Sequence, residues 1–173
     1  DLIHRSLDEI SETQWNTLVP EDSPVLLHQF LAAFEHTGCV MPSSGWEPHH
    51  LAFYNNGHLL AAAPCYLKHH SYGEFIFDWA WANAYERAGF AYYPKLLLAV
   101  PFTPISGKRL LIHPSANLQT TSAALTRGIR KLADETAASS IHCLFTTSED
   151  NQILQTAGFL LRSGNQFHWR SQG

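Results

Sequence analysis

Charge and cysteine are scarce in this chain. Only 15% of its 173 residues are Asp, Glu, Lys or Arg, against the usual ~25%. Low charge of this kind fits a molecule with part of its surface covered, by a partner or by a part of the chain that is missing. Eleven Lys and Arg stand against fifteen Asp and Glu, a formal net charge of −4. The local basic runs, Lys68-His69-His70 and Arg127 to Lys131, are too short and scattered to track a phosphate backbone, so composition gives no argument for nucleic-acid binding. Three cysteines, at 39, 65 and 143, have no CxxC spacing. That excludes a disulfide framework and a zinc module and points to reduced thiols in the cytoplasm. No apolar run approaches the ~18 residues of a membrane span, and no signal peptide opens the chain. The first residue is Asp1 rather than Met, so an N-terminal extension could have been cut away. There is no GxSxG elbow for a serine hydrolase and no HExxH metal site. Eleven histidines are present. The adjacent pairs His49-His50 and His69-His70 point to opposite strand faces, so neither pair chelates one ion and no metal is expected.

The hydrophobic pattern is ordinary for one domain, which at this length should bury roughly 70% of the surface its unfolded form exposes. A short edge strand is expected over 2–7. Ser11 caps a helix to Leu18, with Trp15 and Leu18 on one face. Leu27, Phe30, Leu31 and Phe34 mark a second helix closed by Gly38, and 40–48 reads as a loop. The period then switches to two. A strand over 50–54, the turn Asn55-Asn56-Gly57 and a return strand over 59–68 form a hairpin. Ser71-Tyr72-Gly73 turns into a third strand over 74–79. Good helix formers fill 80–88, with Gly89 as C-cap. Strands are expected over 95–100, 108–113 and 141–146. A long helix spans 117–139, its apolar stripe being Leu118, Leu125, Ile129, Leu132 and Ala133. Ser148 caps a helix over 149–157. The closing segments 159–162 and 166–170 read as strands. The fold class is therefore α/β or α+β, a mixed, largely antiparallel sheet flanked by helices. The order of elements matches the GNAT fold.

Four segments carry a sharper likeness: GWEPHHL at 45–51, AAPCYLKHHSYGEFIFDWAWANAYERAG at 62–89, YYPKLLLAVPFTP at 92–104 and FHWRSQG at 167–173. Together they resemble the FemAB-like family of the GNAT superfamily, peptidoglycan biosynthesis or recognition proteins. The resemblance implies an N-acyl or aminoacyl transferase related to the Fem ligases, acting on a peptidoglycan-type or other amine acceptor. The donor would be aminoacyl-tRNA or acyl-CoA. It also implies a second, similar half after the FHW motif, so this chain looks like the N-terminal half. Its partner would then be that second half or another copy of itself. The alternative is a non-catalytic recognition or structural half-domain that binds a cell-wall peptide or the second half of the protein. The glycine-rich turn on which GNAT enzymes cradle pyrophosphate has no counterpart, because Gly128 lies in mid-helix.

The stretch from Lys68 to Arg109 concentrates the aromatic, charged and proline residues and reads as a groove wall. On a strand, Glu74, Ile76 and Asp78 share one face, and Phe75, Phe77 and Trp79 face the core. Acyl transfer to an amine needs a base. Asp78, beside Trp79 and Trp81, is the candidate carboxylate with a raised pKa. The plainer reading is a cap for the helix starting near Ala80, and the two roles can coincide. Tyr93 is a candidate proton donor, and His70 a neutral-pH base or simply an exposed strand-end histidine. Lys68, Glu74, Trp81, Glu86, Arg87 and Lys95 are candidate substrate-binding residues. Glu86 and Arg87 also read as an ordinary surface pair. Cys65 lies on an apolar strand and reads as core.

Overall fold

The computed structural model describes residues 2–76, 78–167 and 169–171. The chain runs through β1 (Leu2–His4), α1 (Glu12–Asn16), α2 (His28–His36), β2 (Trp46–Pro48), β3 (His50–Asn55), β4 (His58–Ala63) and β5 (Cys65–Lys68). It continues with α3 (Trp79–Arg87), β6 (Lys95–Leu98), β7 (Leu111–Ile112), α4 (Leu118–Glu135), β8 (Ile141–Cys143) and α5 (Ser148–Thr156). Among the described residues the strands form two four-stranded sheets, in the orders β1-β3-β4-β7 and β2-β5-β6-β8. All pairings are antiparallel except β6 with β8, which run parallel, with α4 in the connection between them. The expected class, a mixed and largely antiparallel architecture flanked by helices, holds.

Local chemistry sets most boundaries. Ser11 accepts from the Gln14 amide and starts α1, a side-chain cap for an otherwise orphaned donor. The first amide of α2 is met by Asn16 Oδ1 at 2.9 Å, and Gly38 leaves α2 in the left-handed region (φ 73°). Asn56 and Gly57 both have positive φ, 49° and 80°, which the tight turn between β3 and β4 requires.

Several expectations are corrected. The loop over 40–48 contains a 3-10 turn and β2. The long return strand over 59–68 is two strands in two sheets, broken at Pro64, which has no N–H for a ladder bond. The terminal helix is capped by Thr147, not Ser148. Leu118, expected in the stripe of α4, is 48% exposed, because the helix has only begun there and its inward face starts one turn later. No strand forms among the described residues of 74–79, where Phe77 lies outside the description; Phe75 and Trp79 are exposed rather than in the core. The expected closing strands are absent among the described residues after 158, and His168 also lies outside them.

Three apolar clusters hold the layers. Leu7, Trp15, Leu26 and Leu31 pack on Ala52, Ala62 and Leu111 of the first sheet. Leu125, Ile129 and Leu132 of α4 pack against Leu51, Ala61, Leu96 and Leu98, residues drawn from both sheets. At about 1.5–3 kcal/mol for each large side chain buried, this face outweighs the ~1 kcal/mol of the Asn117 cap of α4. Val40, Trp46, Tyr66, Leu97 and Leu144 form the third cluster, in which Tyr66 and Leu97 lie two residues from Lys68 and Lys95 and so on the same sheet face. Cys65 is fully buried, and burial pushes its thiol well above the ordinary range, as a core cysteine requires. No helix among the described residues is long and apolar enough to cross a membrane.

Candidate functional site

The site begins with a row of three cross-strand partners. Trp46 of β2 lies opposite Lys68 of β5, and Lys68 opposite Lys95 of β6. The side chains of both lysines are fully buried. The chain leaves β5 after Lys68, turns at Gly73 (φ 81°) and passes over the row before α3 begins. That segment delivers Ser71, Glu74 and Asp78 to Lys95.

Lys95 Nζ donates to Ser71 Oγ at 2.8 Å, Glu74 Oε2 at 2.8 Å and Asp78 Oδ2 at 2.6 Å. An ammonium has three hydrogens, and all three are used. Asp78 Oδ2 also accepts from the Tyr92 hydroxyl at 2.7 Å. Ser71 Oγ and the Tyr93 hydroxyl lie 2.8 Å apart. The second oxygens, Glu74 Oε1 and Asp78 Oδ1, are buried without a hydrogen-bond partner among the described residues. Unmet buried acceptors are costly, so these two oxygens are the conspicuous feature of the cluster. Lys68 stands apart. Its Nζ sits 3.8 Å from the centroid of the Trp46 ring and donates to the Tyr72 carbonyl at 3.2 Å. Trp46 Nε1 donates to the same carbonyl, also at 3.2 Å.

Burial and pairing compete at each group. For Asp78, burial pushes the carboxyl up, but hydrogen bonds from Lys95, Ser71 and Tyr92 prevail and hold it below the ordinary carboxylate range. The expected rise from its tryptophan neighbours is therefore reversed, because Trp79 and Trp81 face outward and the carboxylate faces Lys95. For Glu74 burial wins over Lys95, and its carboxyl is raised. Burial, then the charge of Lys95, bring Lys68 down to about 7 against the pull of Glu74. Burial and the adjacent Asp78 raise Tyr92. His142 is pushed down to about 4 by burial and by Lys95.

The structure thus brings together Lys68, Glu74, Asp78, Tyr93 and Lys95 from the expected set. Asp78 occupies the residue before α3 but makes no side-chain capping bond. Its carboxylate is committed elsewhere, so the cap reading is corrected. His70 is not placed as a base: its Nε2 bonds the Ser44 carbonyl at 2.9 Å and its Nδ1 takes the Tyr72 amide at 3.2 Å. Trp81, Glu86 and Arg87 lie on α3, which buries none of its residues. Trp81 faces solvent beneath the Arg162 guanidinium, 4.8 Å from its ring. With Tyr72, Phe75 and Trp79 it forms an exposed aromatic surface outside the buried cluster. Ser71, Tyr92 and Trp46 were missed by sequence reasoning. Ser71 looked like one residue of a turn and Trp46 like one of a loop, whereas the Tyr92-Tyr93 pair preceding Pro94 and Lys95 was a readable signal of which only half was taken up.

A separate cleft of about 290 Å³ lies at the start of α4, lined by Lys108, His113, Ala116, Leu118, Glu149 and Asp150 among others. Its residues do not fit a pyrophosphate. The turn into the helix has no glycine, Lys108 is paired with Glu149 at 3.0 Å, and two acidic residues, Glu149 and Asp150, are part of the lining.

A family model described as FemAB-like, peptidoglycan biosynthesis/recognition, matches residues 6–173. Among solved structures, the chain is similar to one titled aminoglycoside N-acetyltransferase AAC(6')-Iy in complex with CoA. The identity is 10% and the TM-score 0.45, over 82% of this chain and 87% of that chain. A search of the curated proteins gives no match.

Proposed function

The chain belongs to the FemAB-like family, and from that premise we propose that it serves N-acyl or aminoacyl transfer to a primary amine, with the cluster around Lys95 as the seat of the acceptor. The observation that carries this reading is the pair of unmet carboxylate oxygens, Glu74 Oε1 and Asp78 Oδ1. An ammonium group is the complementary ligand, since it supplies charge-assisted donors to both. The family description supports a peptidoglycan-type peptide as the bearer of that amine.

Each residue then has a role. Lys95 fixes both carboxylates from one side, leaving their second oxygens for the ligand. Tyr92 and Ser71 lock Asp78 and Lys95 in place, and Tyr93 holds Ser71. Asp78, held ionised, acts as a counter-charge rather than as the base. The donor is an activated acyl group, aminoacyl-tRNA or acyl-CoA. Since the start of α4 does not fit a pyrophosphate, the aminoacyl ester is the donor to test first.

A second reading is favoured by the exposed aromatics Tyr72, Phe75, Trp79 and Trp81, which suit recognition of a cell-wall peptide without chemistry. Transfer assays separate the two. The chain is incubated with aminoacyl-tRNA and an amine-bearing stem peptide, and amide formation is followed by mass spectrometry. On the transferase reading the wild type forms product, and Asp78→Asn lowers turnover by about 10²-fold or more. Product formed equally well by Asp78→Asn removes the cluster from the chemistry. Peptide binding without product favours recognition.

A further inference from the structure

The amine seat is sealed. The side chains of Glu74 and Lys95 are 0% exposed and that of Asp78 is 6% exposed. No ligand reaches Glu74 Oε1 or Asp78 Oδ1 while the chain stands in this form. What seals the seat is the segment that carries the two carboxylates. Among the described residues from Tyr72 to Ala91, only Glu74 and Asp78 are buried. Tyr72, Phe75, Ile76, Trp79, Trp81 and Phe90 are all exposed. A segment that buries no apolar side chain of its own is held by its polar contacts.

Those contacts converge on one point. Glu74 and Asp78 accept from Lys95, and Asp78 accepts from Tyr92. Beyond them, Tyr85 meets the edge of Tyr92 with ring centroids 5.2 Å apart, and Arg162 lies over Trp81. Ahead of the segment the chain is fixed: the Tyr72 carbonyl accepts from Trp46 and Lys68, and Ser71 stays with Tyr93 and Lys95. Gly73 (φ 81°) and Gly89 (φ 79°) bound the segment. A Cβ at Gly89 would meet nothing within 4 Å, so the chain has room to turn there.

We propose that the segment from Gly73 to Gly89 is a lid over the amine seat, hinged near its two glycines and latched by Lys95 and Tyr92, and that the acceptor amine enters when this lid lifts. The route of entry rests on the amine-transfer reading above; the lid itself does not. Hinges of this kind are a few loop or element-terminal residues. Lifting costs less than the short bonds suggest. Closed, the latch keeps an ammonium and two carboxylates out of water, and that desolvation offsets much of their attraction. Open, all three are hydrated, and so is Lys68, the like charge directly opposite Lys95. With an ammonium seated on Glu74 and Asp78, closure returns both carboxylates to Lys95 and excludes water from the seat.

The test is chemical labelling of the full chain without ligand. An N-hydroxysuccinimide acetate ester acetylates free amines, and iodoacetamide in the same sample alkylates free thiols; both are read by peptide mass spectrometry. Lys131, 68% exposed at its side chain, reports an open amine, and Cys65, fully buried in the core, reports global unfolding. Lys95 should be acetylated more slowly than Lys131, yet while Cys65 stays unmodified. Tyr92→Phe removes one latch bond to a charged group and should speed acetylation of Lys95 by about tenfold or more, with Cys65 still protected. Lys95 that reacts only when urea exposes Cys65 overturns the lid. So does Lys95 that reacts as fast as Lys131, or at a rate that Tyr92→Phe leaves unchanged. The same variant should raise the association rate of a free-amine stem peptide by a similar factor; an unchanged association rate beside faster labelling overturns entry through the lid. A peptide that does not bind at all refutes the seat and leaves the labelling result standing.

Discussion

Lys95→Met is the sharpest perturbation available. It keeps most of the buried volume and removes one ammonium. Lys95 is fully buried and bonded at 2.6–2.8 Å to two carboxylates and a hydroxyl. Removing one partner of a buried ion pair costs about 3–5 kcal/mol, because the other charge is left uncompensated. Here two carboxylates are left, so the upper part of that range is expected. For a chain of this length each kcal/mol shifts Tm by about 2–4 °C, so a fall of roughly 10–20 °C follows at pH 7. The pH dependence has a definite sign. Without Lys95, Glu74 and Asp78 are buried against each other and their folded pKa values rise above the unfolded ones. Groups raised in this way give stability below the unfolded pKa and lose it as pH rises through the folded value. The deficit of the variant must therefore shrink as pH falls towards about 4, the carboxylate range. Thermal unfolding followed by circular dichroism at several pH values measures it. A deficit below about 1 kcal/mol, typical of a surface pair, or one that grows in acid, would refute the reasoning.

Asp78→Asn tests the same balance from the other side. The folded pKa of Asp78 is depressed, so its charge stabilises the fold above the ordinary carboxylate range and ceases to do so as pH falls through the folded value. Urea denaturation should show the wild type more stable by about 1–3 kcal/mol at pH 7, with the two curves converging in acid. Glu35 accepts from the Leu7 amide at 3.0 Å and from His50 Nε2 at 2.8 Å, which ties α2 to β3 and to the chain after β1. Glu35→Ala strands both donors, and a loss of about 2–4 kcal/mol should appear as a lower urea midpoint. Gly45 has φ of 72°, and a Cβ there runs into the His70 imidazole. Gly45→Ala should cost about 2–4 kcal/mol by combining backbone strain and overpacking. On a His70→Ala background only the backbone part, about 1–2 kcal/mol, should remain.

What could be read in advance was mostly local. Ser11, Gly38 and Asn56-Gly57 each act within four residues, and the structure uses them as expected. The alternation that suggested a strand over 74–79 was misleading, because those residues are positioned by Lys95, about twenty residues away. Glu74 and Asp78 meet as they would on one face of a strand, but they do so on irregular backbone, with Phe75 at a positive φ of 58°. The break at Pro64 was visible as a residue, yet its consequence, a chain that changes sheets, depends on β6 and β2 being present to receive β5. Lys68 and Lys95 were legible as candidates. That they are buried opposite each other depends on the register of β5 and β6, which no short-range pattern specifies. Ser71 carries no motif and is visible only through its bond to Lys95, whereas Tyr92 stands in the readable Tyr92-Tyr93 pair but its partner, Asp78, is fixed only by the fold.

The measurement that bears most directly on the central claim is binding of an amine to the Lys95 cluster. Backbone amide NMR spectra of the full chain are recorded with a short peptidoglycan stem peptide bearing a free primary amine, and again with that amine acetylated. The free amine should bind, with shifts concentrated at Ser71, Glu74, Asp78 and Lys95, and Glu74→Gln or Asp78→Asn should weaken it by about tenfold or more. Equal binding of the acetylated peptide, or shifts confined to the exposed aromatics of α3, would contradict the account.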